Sequence, residues 1–134
     1  YTYRGKQYYQ IYNLVSGRFI NPRNPVKRIC LSATQGDFQG FDLYGTSIYT
    51  IEGSPRASFL RGYDRSRRYQ PTKICRYNYA TRSKRKTTVK GAKTLSFREP
   101  EGIKVLSGGK IYIMYVSNTL TNQSCNIYQI KKRI

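Results

Sequence analysis

No stretch of ten residues in this chain carries apolar side chains at the spacing of an amphipathic helix. Tyr, Ile, Thr and Val instead fill short runs, and Gly, Pro, Asn and Ser interrupt them at close intervals. β-branched and aromatic side chains suit a pleated, half-buried surface, and the interrupting residues supply turns. The chain is therefore read as all-β. Strands are expected at Gln7–Val15, Val26–Ala33, Ser47–Glu52, Ala57–Leu60, Lys73–Tyr79, Thr87–Val89, Lys93–Phe97, Lys110–Val116 and Asn126–Lys131.

The punctuation limits how these runs pair. Asn21-Pro22-Arg23-Asn24-Pro25 cannot be a central strand, because each proline removes a ladder donor. Ser107-Gly108-Gly109 reads as a turn that accepts positive φ. Lys110-Ile-Tyr-Ile-Met-Tyr-Val116 is apolar on both alternating faces, which predicts a central strand packed on both sides. In Cys125–Lys131, by contrast, Ile127 and Gln129 point one way and Tyr128 and Ile130 the other. The 134 residues suit a single domain spanning 1–134. Hydrophobic residues reach only 38%, but 14 Tyr and 5 Phe add enough area to bury a modest core. Glu99 and Glu101 lie close, but Pro100 between them predicts a turn.

Cys30, Cys75 and Cys125 sit far apart, and no spacing among them suits a metal. Three buried thiols are expected, with one disulfide and a leftover thiol as the alternative. Asn122-Gln123-Ser124 matches a glycosylation sequon. The strongly apolar run around Ile111–Val116 is far shorter than the roughly 20 residues that span a bilayer, so no membrane insertion is expected. No signal peptide is visible, and a start at Tyr1 points to an N-terminal segment that precedes this chain.

Charge narrows the function. Lys and Arg number 25 against 6 Asp and Glu, a net charge of +19. Such a surface makes sense when a polyanion neutralises it, with counterion release driving the binding. The sign alone does not choose among nucleic acid, sulphated glycans and membrane surfaces. Residues 31–60 hold only Arg56, whereas residues 61–90 hold eleven cations. Within them, Arg61-Gly-Tyr-Asp-Arg-Ser-Arg-Arg-Tyr69 interleaves Arg with Tyr, which suits phosphate contact plus stacking on unpaired bases. Arg61, Arg65, Arg67, Arg68 and Tyr69 are the candidates there; the plainer alternative is a solvated loop. Thr81–Thr87 is denser and lacks aromatics, so Arg82, Lys84, Arg85 and Lys86 are expected on a loop that touches phosphates without reading sequence. Lys131, Lys132 and Arg133 form a further basic group. Tyr1-Thr-Tyr3 and Tyr8-Tyr9 read as core or subunit contact before they read as a stacking platform.

Catalysis finds little support. The chain has no His, which removes the commonest general base and any Ser–His or Cys–His pair. No Gly-rich phosphate loop is present. No enzyme activity, cofactor or metal is expected.

The last third carries a resemblance. Leu106-Ser-Gly-Gly-Lys-Ile-Tyr-Ile-Met-Tyr-Val-Ser-Asn118, followed by Ile127-Tyr-Gln-Ile-Lys-Lys-Arg-Ile134, resembles the closing strands of small viral capsid proteins. These are the single jelly rolls of small circular single-stranded DNA viruses and of satellite viruses. Gln35-Gly-Asp37 and Gly45-Thr-Ser-Ile-Tyr49 are similar to an earlier turn and strand of that family, with Leu43 where its pattern has Arg. The resemblance implies a jelly-roll sandwich of two four-stranded antiparallel sheets, with an N-terminal arm preceding Tyr1. It implies a capsid protein that self-assembles into a small icosahedral shell, a high-order homo-oligomer. Its basic interior would bind single-stranded nucleic acid, DNA favoured over RNA. The expected location is the virion, with the host nucleus second. Two other functions fit the charge: a secreted heparin-binding β-trefoil or growth-factor-like ligand, and a basic RNase-type toxin domain.

Overall fold

The computed structural model describes residues 2–3, 6–19, 23–32, 38–53, 72–92, 95, 99–118, 123–131 and 134. Expected strands Ala57–Leu60 and, apart from Leu95, Lys93–Phe97 lie outside them, as does the sequon acceptor Asn122. The protein is all-β, with antiparallel sheets throughout. Among the described residues no helix is long and apolar enough to cross a membrane. The chain divides into two units, Tyr1–Gln35 and Gly36–Ile134.

In the first unit, β1 (Thr2–Tyr3), β2 (Lys6–Ile11) and β5 (Lys27–Ser32) form one sheet in that order. β3 (Leu14–Val15) and β4 (Arg18–Phe19) form a small hairpin. Its two-residue turn needs positive φ at both positions, which Ser16 (49°) and Gly17 (75°) adopt. The expected single strand Gln7–Val15 is thus two strands, interrupted at Tyr12 and Asn13. Tyr8 and Tyr9 are half-buried opposite Cys30 and Ile29, and Ile29 is buried.

The second unit holds β6 (Phe38–Tyr44), β7 (Ser47–Glu52), β8 (Thr72–Asn78) and β9 (Ser83–Val89) as one sheet. A second sheet comprises β10 (Glu99–Leu106), β11 (Lys110–Asn118) and β12 (Gln123–Ile130). In both, sheet neighbours are also sequence neighbours. The sheets share one core of Tyr49, Ile51, Ile74 and Val89 with Ile103, Val105, Ile111, Ile113, Tyr115 and Ile134. Alternation explains the selection: Ile111, Ile113 and Tyr115 take one face of β11, while Tyr112, Met114 and Val116 lie half-buried on the other. β11 is the middle strand of its sheet, as its two apolar faces predict. The buried Tyr115 hydroxyl bonds the Thr72 hydroxyl at 3.0 Å and ties β11 to β8. Ser107-Gly108-Gly109 forms the β10–β11 turn, both glycines at φ 73°.

Four strands escape a reading of the sequence, the two-residue β1 and β4 and the longer β6 and β10. β6 contains Gly40 and Asp42, which look like strand breakers. Asp42 is satisfied from β10: its carboxylate accepts the Val105 N–H at 2.6 Å and the Lys104 ammonium at 3.1 Å. β10 contains Pro100, and the expected turn between Glu99 and Glu101 is instead a strand. The pairing shifts register between Pro100 and Gly102, and such an irregularity is where a sheet tolerates proline. Pro100 is fully buried against Gly53, where any added Cβ would stand 2.6 Å from the proline ring.

Candidate nucleic-acid interface

The densest cationic run lies on a strand and not on the expected loop. β8 and β9 pair from Thr72↔Val89 to Asn78↔Ser83 without a break, so Lys84, Arg85 and Lys86 are strand residues. The pairing overrides their composition because Val89 enters the core while Ile74, opposite Thr87, anchors β8. The connecting turn is built by Asn78, whose side-chain oxygen accepts the N–H groups of Ala80 and Thr81 at 2.9 and 3.0 Å. Arg82 closes the turn at φ 58°. Among the described residues β9 has only β8 as a neighbour, so it is an edge strand.

Strand geometry sorts the cations. Arg82, Lys84, Arg85 and Lys86 are all exposed. Lys84 and Lys86 lie on the sheet face opposite the core residues, in register with Tyr77 and Cys75. Arg85 takes the other face, opposite Arg76. The edge therefore carries cations on both sides of the sheet.

Two of the nearby charges already have partners. The Lys86 ammonium lies 3.3 Å from the Glu52 carboxylate, with side chains 43% and 2% exposed. Arg76 donates to the Ser47 hydroxyl at 3.2 Å and to the Ile134 carbonyl at 3.0 Å, and its guanidinium lies 5.8 Å from the Tyr49 ring centre. It acts as a structural cation. Lys84, Arg85 and Arg82 have no ion-pair partner among the described residues.

Tyr77 was not singled out by sequence reasoning. It is half-buried and stands opposite Lys84 on the same face, an aromatic surface beside a cation. The signal that finds it is the hairpin register, not composition.

Of the other expected site residues, Arg61, Arg65, Arg67, Arg68, Tyr69, Lys132 and Arg133 lie outside the described residues. Lys131 is exposed just beyond β12, on the other sheet from β9. In the first unit Lys6, Arg18, Lys27 and Arg28 are exposed.

The cysteines differ from expectation. All three are free, but only Cys75 is buried, while Cys30 and Cys125 are exposed. Burial pushes the Cys75 thiol above its ordinary 9.0, reinforced by Glu52 and opposed by Lys84 and Lys86. Among the described residues, no group of three or more His, Cys, Asp or Glu comes together to hold a metal.

No protein-family model matches the chain, and no curated protein or solved structure matches it.

Proposed function

We propose that this chain is a coat protein that assembles around single-stranded nucleic acid and holds it by phosphate contacts. The observation that carries the reading is the basic edge strand: Lys84, Arg85 and Lys86 in sequence on β9, Arg82 at its turn, and one acid, Glu52, paired with Lys86. An edge strand presents its side chains to both faces, which suits a flexible phosphate chain better than a flat duplex face. Phosphate contacts carry no sequence information, so recognition is sequence-blind. Tyr77 beside Lys84 supplies a stacking surface for an unpaired base.

Assembly follows from charge. A chain at +19 repels its own copies until a polyanion neutralises them. The resemblance of 106–134 to capsid proteins points the same way. Its finer form is a jelly roll of two four-stranded sheets. The sheet β6–β9 supplies one four-stranded layer, whereas the sequential order of both sheets differs from a jelly roll's interleaved order. The reading therefore rests on charge placement and not on topology. Among the described residues neither a nuclease site nor a carbohydrate-selective pocket has an observation of its own.

Titration with a fluorescent single-stranded oligonucleotide at several salt concentrations tests the binding half. Tight binding that weakens steeply with salt, nearly equal for different sequences, is expected. Salt-insensitive binding, or equal affinity for heparin and nucleic acid, would overturn the assignment.

A further inference from the structure

Two long strands of the second unit end their sheets with nothing beside them among the described residues, and their chemistry is opposite. β9 bears its run of cations. β12, Gln123–Ile130, has eight residues, none charged and none proline. The outward N–H and C=O groups of an edge strand pair with any strand that reaches them, and proteins ordinarily guard such edges with Lys, Pro or bulges. β9 is guarded. β12 is not, and it runs beside β11 from Ile111↔Ile130 to Asn118↔Gln123 with no register break. Ile127 is 70% exposed, and Cys125 and Gln129 are exposed on the same face.

We propose that β12 is the contact through which two copies of this chain join, edge to edge, into one continuous antiparallel sheet. The occupant follows from charge. No cation lies between Gln123 and Ile130 to hold a polyanion. Two copies at +19 repel wherever basic surfaces meet, so their contact belongs where charge is absent. Symmetry adds a constraint. A strand paired antiparallel with its own copy is related to it by a two-fold axis perpendicular to the sheet. Residues of one face then meet residues of the same face, so Cys125, Ile127 and Gln129 of one copy oppose the same set of the other. Main-chain hydrogen bonds and burial of Ile127 hold the pair together. The inference rests on the assembly half of the proposed function and is independent of nucleic-acid binding.

The test is sedimentation velocity of the full chain and of Ile127→Lys at about 1 M salt, where the Debye length falls to about 3 Å and general repulsion is screened. The parent is expected as a dimer or larger species. Ile127→Lys, at an exposed position, is expected to keep the parent's circular dichroism and melting while self-association weakens at least about tenfold. A monomeric parent, or a variant that associates like the parent, overturns the proposal. A second measurement does not depend on that variant. The two same-face registers nearest full overlap of two β12 strands set their Cys125 residues two or four positions apart along the strand and one strand spacing across, about 8–15 Å. In a Cys30→Ser chain, a bismaleimide of that span should link two copies; failure to link them also overturns it. Oligonucleotide binding is read separately. A parent that dimerises without binding nucleic acid leaves this contact standing and removes the polyanion reading.

Discussion

The Lys86 ammonium sits 3.3 Å from the carboxylate of Glu52, whose side chain is 2% exposed. One cation of the basic run is therefore committed to the protein's own interior, and the run divides into a structural part and a free part. Removing Lys86 leaves a buried carboxylate without its partner. Lys86→Ala should cost about 1–3 kcal/mol, less than for a fully buried pair because the lysine is partly solvated. Lys84→Ala, with no such partner among the described residues, should change stability by no more than about 0.5 kcal/mol. Urea melts of the two variants make the comparison; equal melts would mean the ion pair carries no weight.

The same division sets what the proposed nucleic-acid binding should lose when each cation is removed. Each phosphate contact on a single strand contributes about 0.7 to the slope of log affinity against log salt. Replacing Arg82, Lys84 and Arg85 together by Ala should flatten that slope by about two units. Adding Lys86→Ala should change it little further. A slope unchanged in the triple variant means these side chains are merely solvated.

Thiol chemistry should separate the three cysteines. Cys30 and Cys125 are exposed and should react with a maleimide within the mixing time at neutral pH, while buried Cys75 should react only as the protein unfolds. The raised Cys75 pKa has a linked consequence. The unfolded chain releases this proton near pH 9.0 while the folded chain still holds it, so this group's contribution to stability falls as pH rises past 9.0. Mass spectrometry of pulse-labelled protein checks the order. Labelling of Cys75 at the rate of Cys125 under native conditions would contradict the burial.

Two core positions give sharp stability tests. Ile113 is completely buried on β11, so Ile113→Asp places an unpaired charge in the core and should abolish soluble folded protein. Ile113→Val removes one methyl group and should cost about 0.5–1.5 kcal/mol. Gly53→Ala adds a Cβ 2.6 Å from the ring of Pro100, which cannot swing aside, and should cost about 1–3 kcal/mol. Thermal melts with wild-type midpoints would refute this packing.

What the sequence revealed and what it hid share a physical cause. Ser47–Glu52 and Lys110–Val116 were legible because their own side chains carry the strand signal. The turn at Ser107-Gly108-Gly109 was legible because only glycine adopts its φ values cheaply. β6 and β10 were hidden because their justification lies across the fold. Asp42 is tolerable only with the Val105 N–H beside it, and Pro100 only with Gly53 against it. The cations of β9 were legible as residues but not as a strand, since the pairing that orders them comes from β8. For the same reason Glu52, distant in sequence, could not be matched to Lys86, nor Tyr77 to Lys84.

As the proposed coat protein, this chain should close into particles around a polyanion. Electron microscopy of the purified protein mixed with single-stranded DNA at moderate salt tests it most directly. Discrete closed particles of uniform diameter are expected, which fall apart or clump when the nucleic acid is stripped at high salt. Small soluble complexes alone, with no closed particles at any protein-to-DNA ratio, would contradict it.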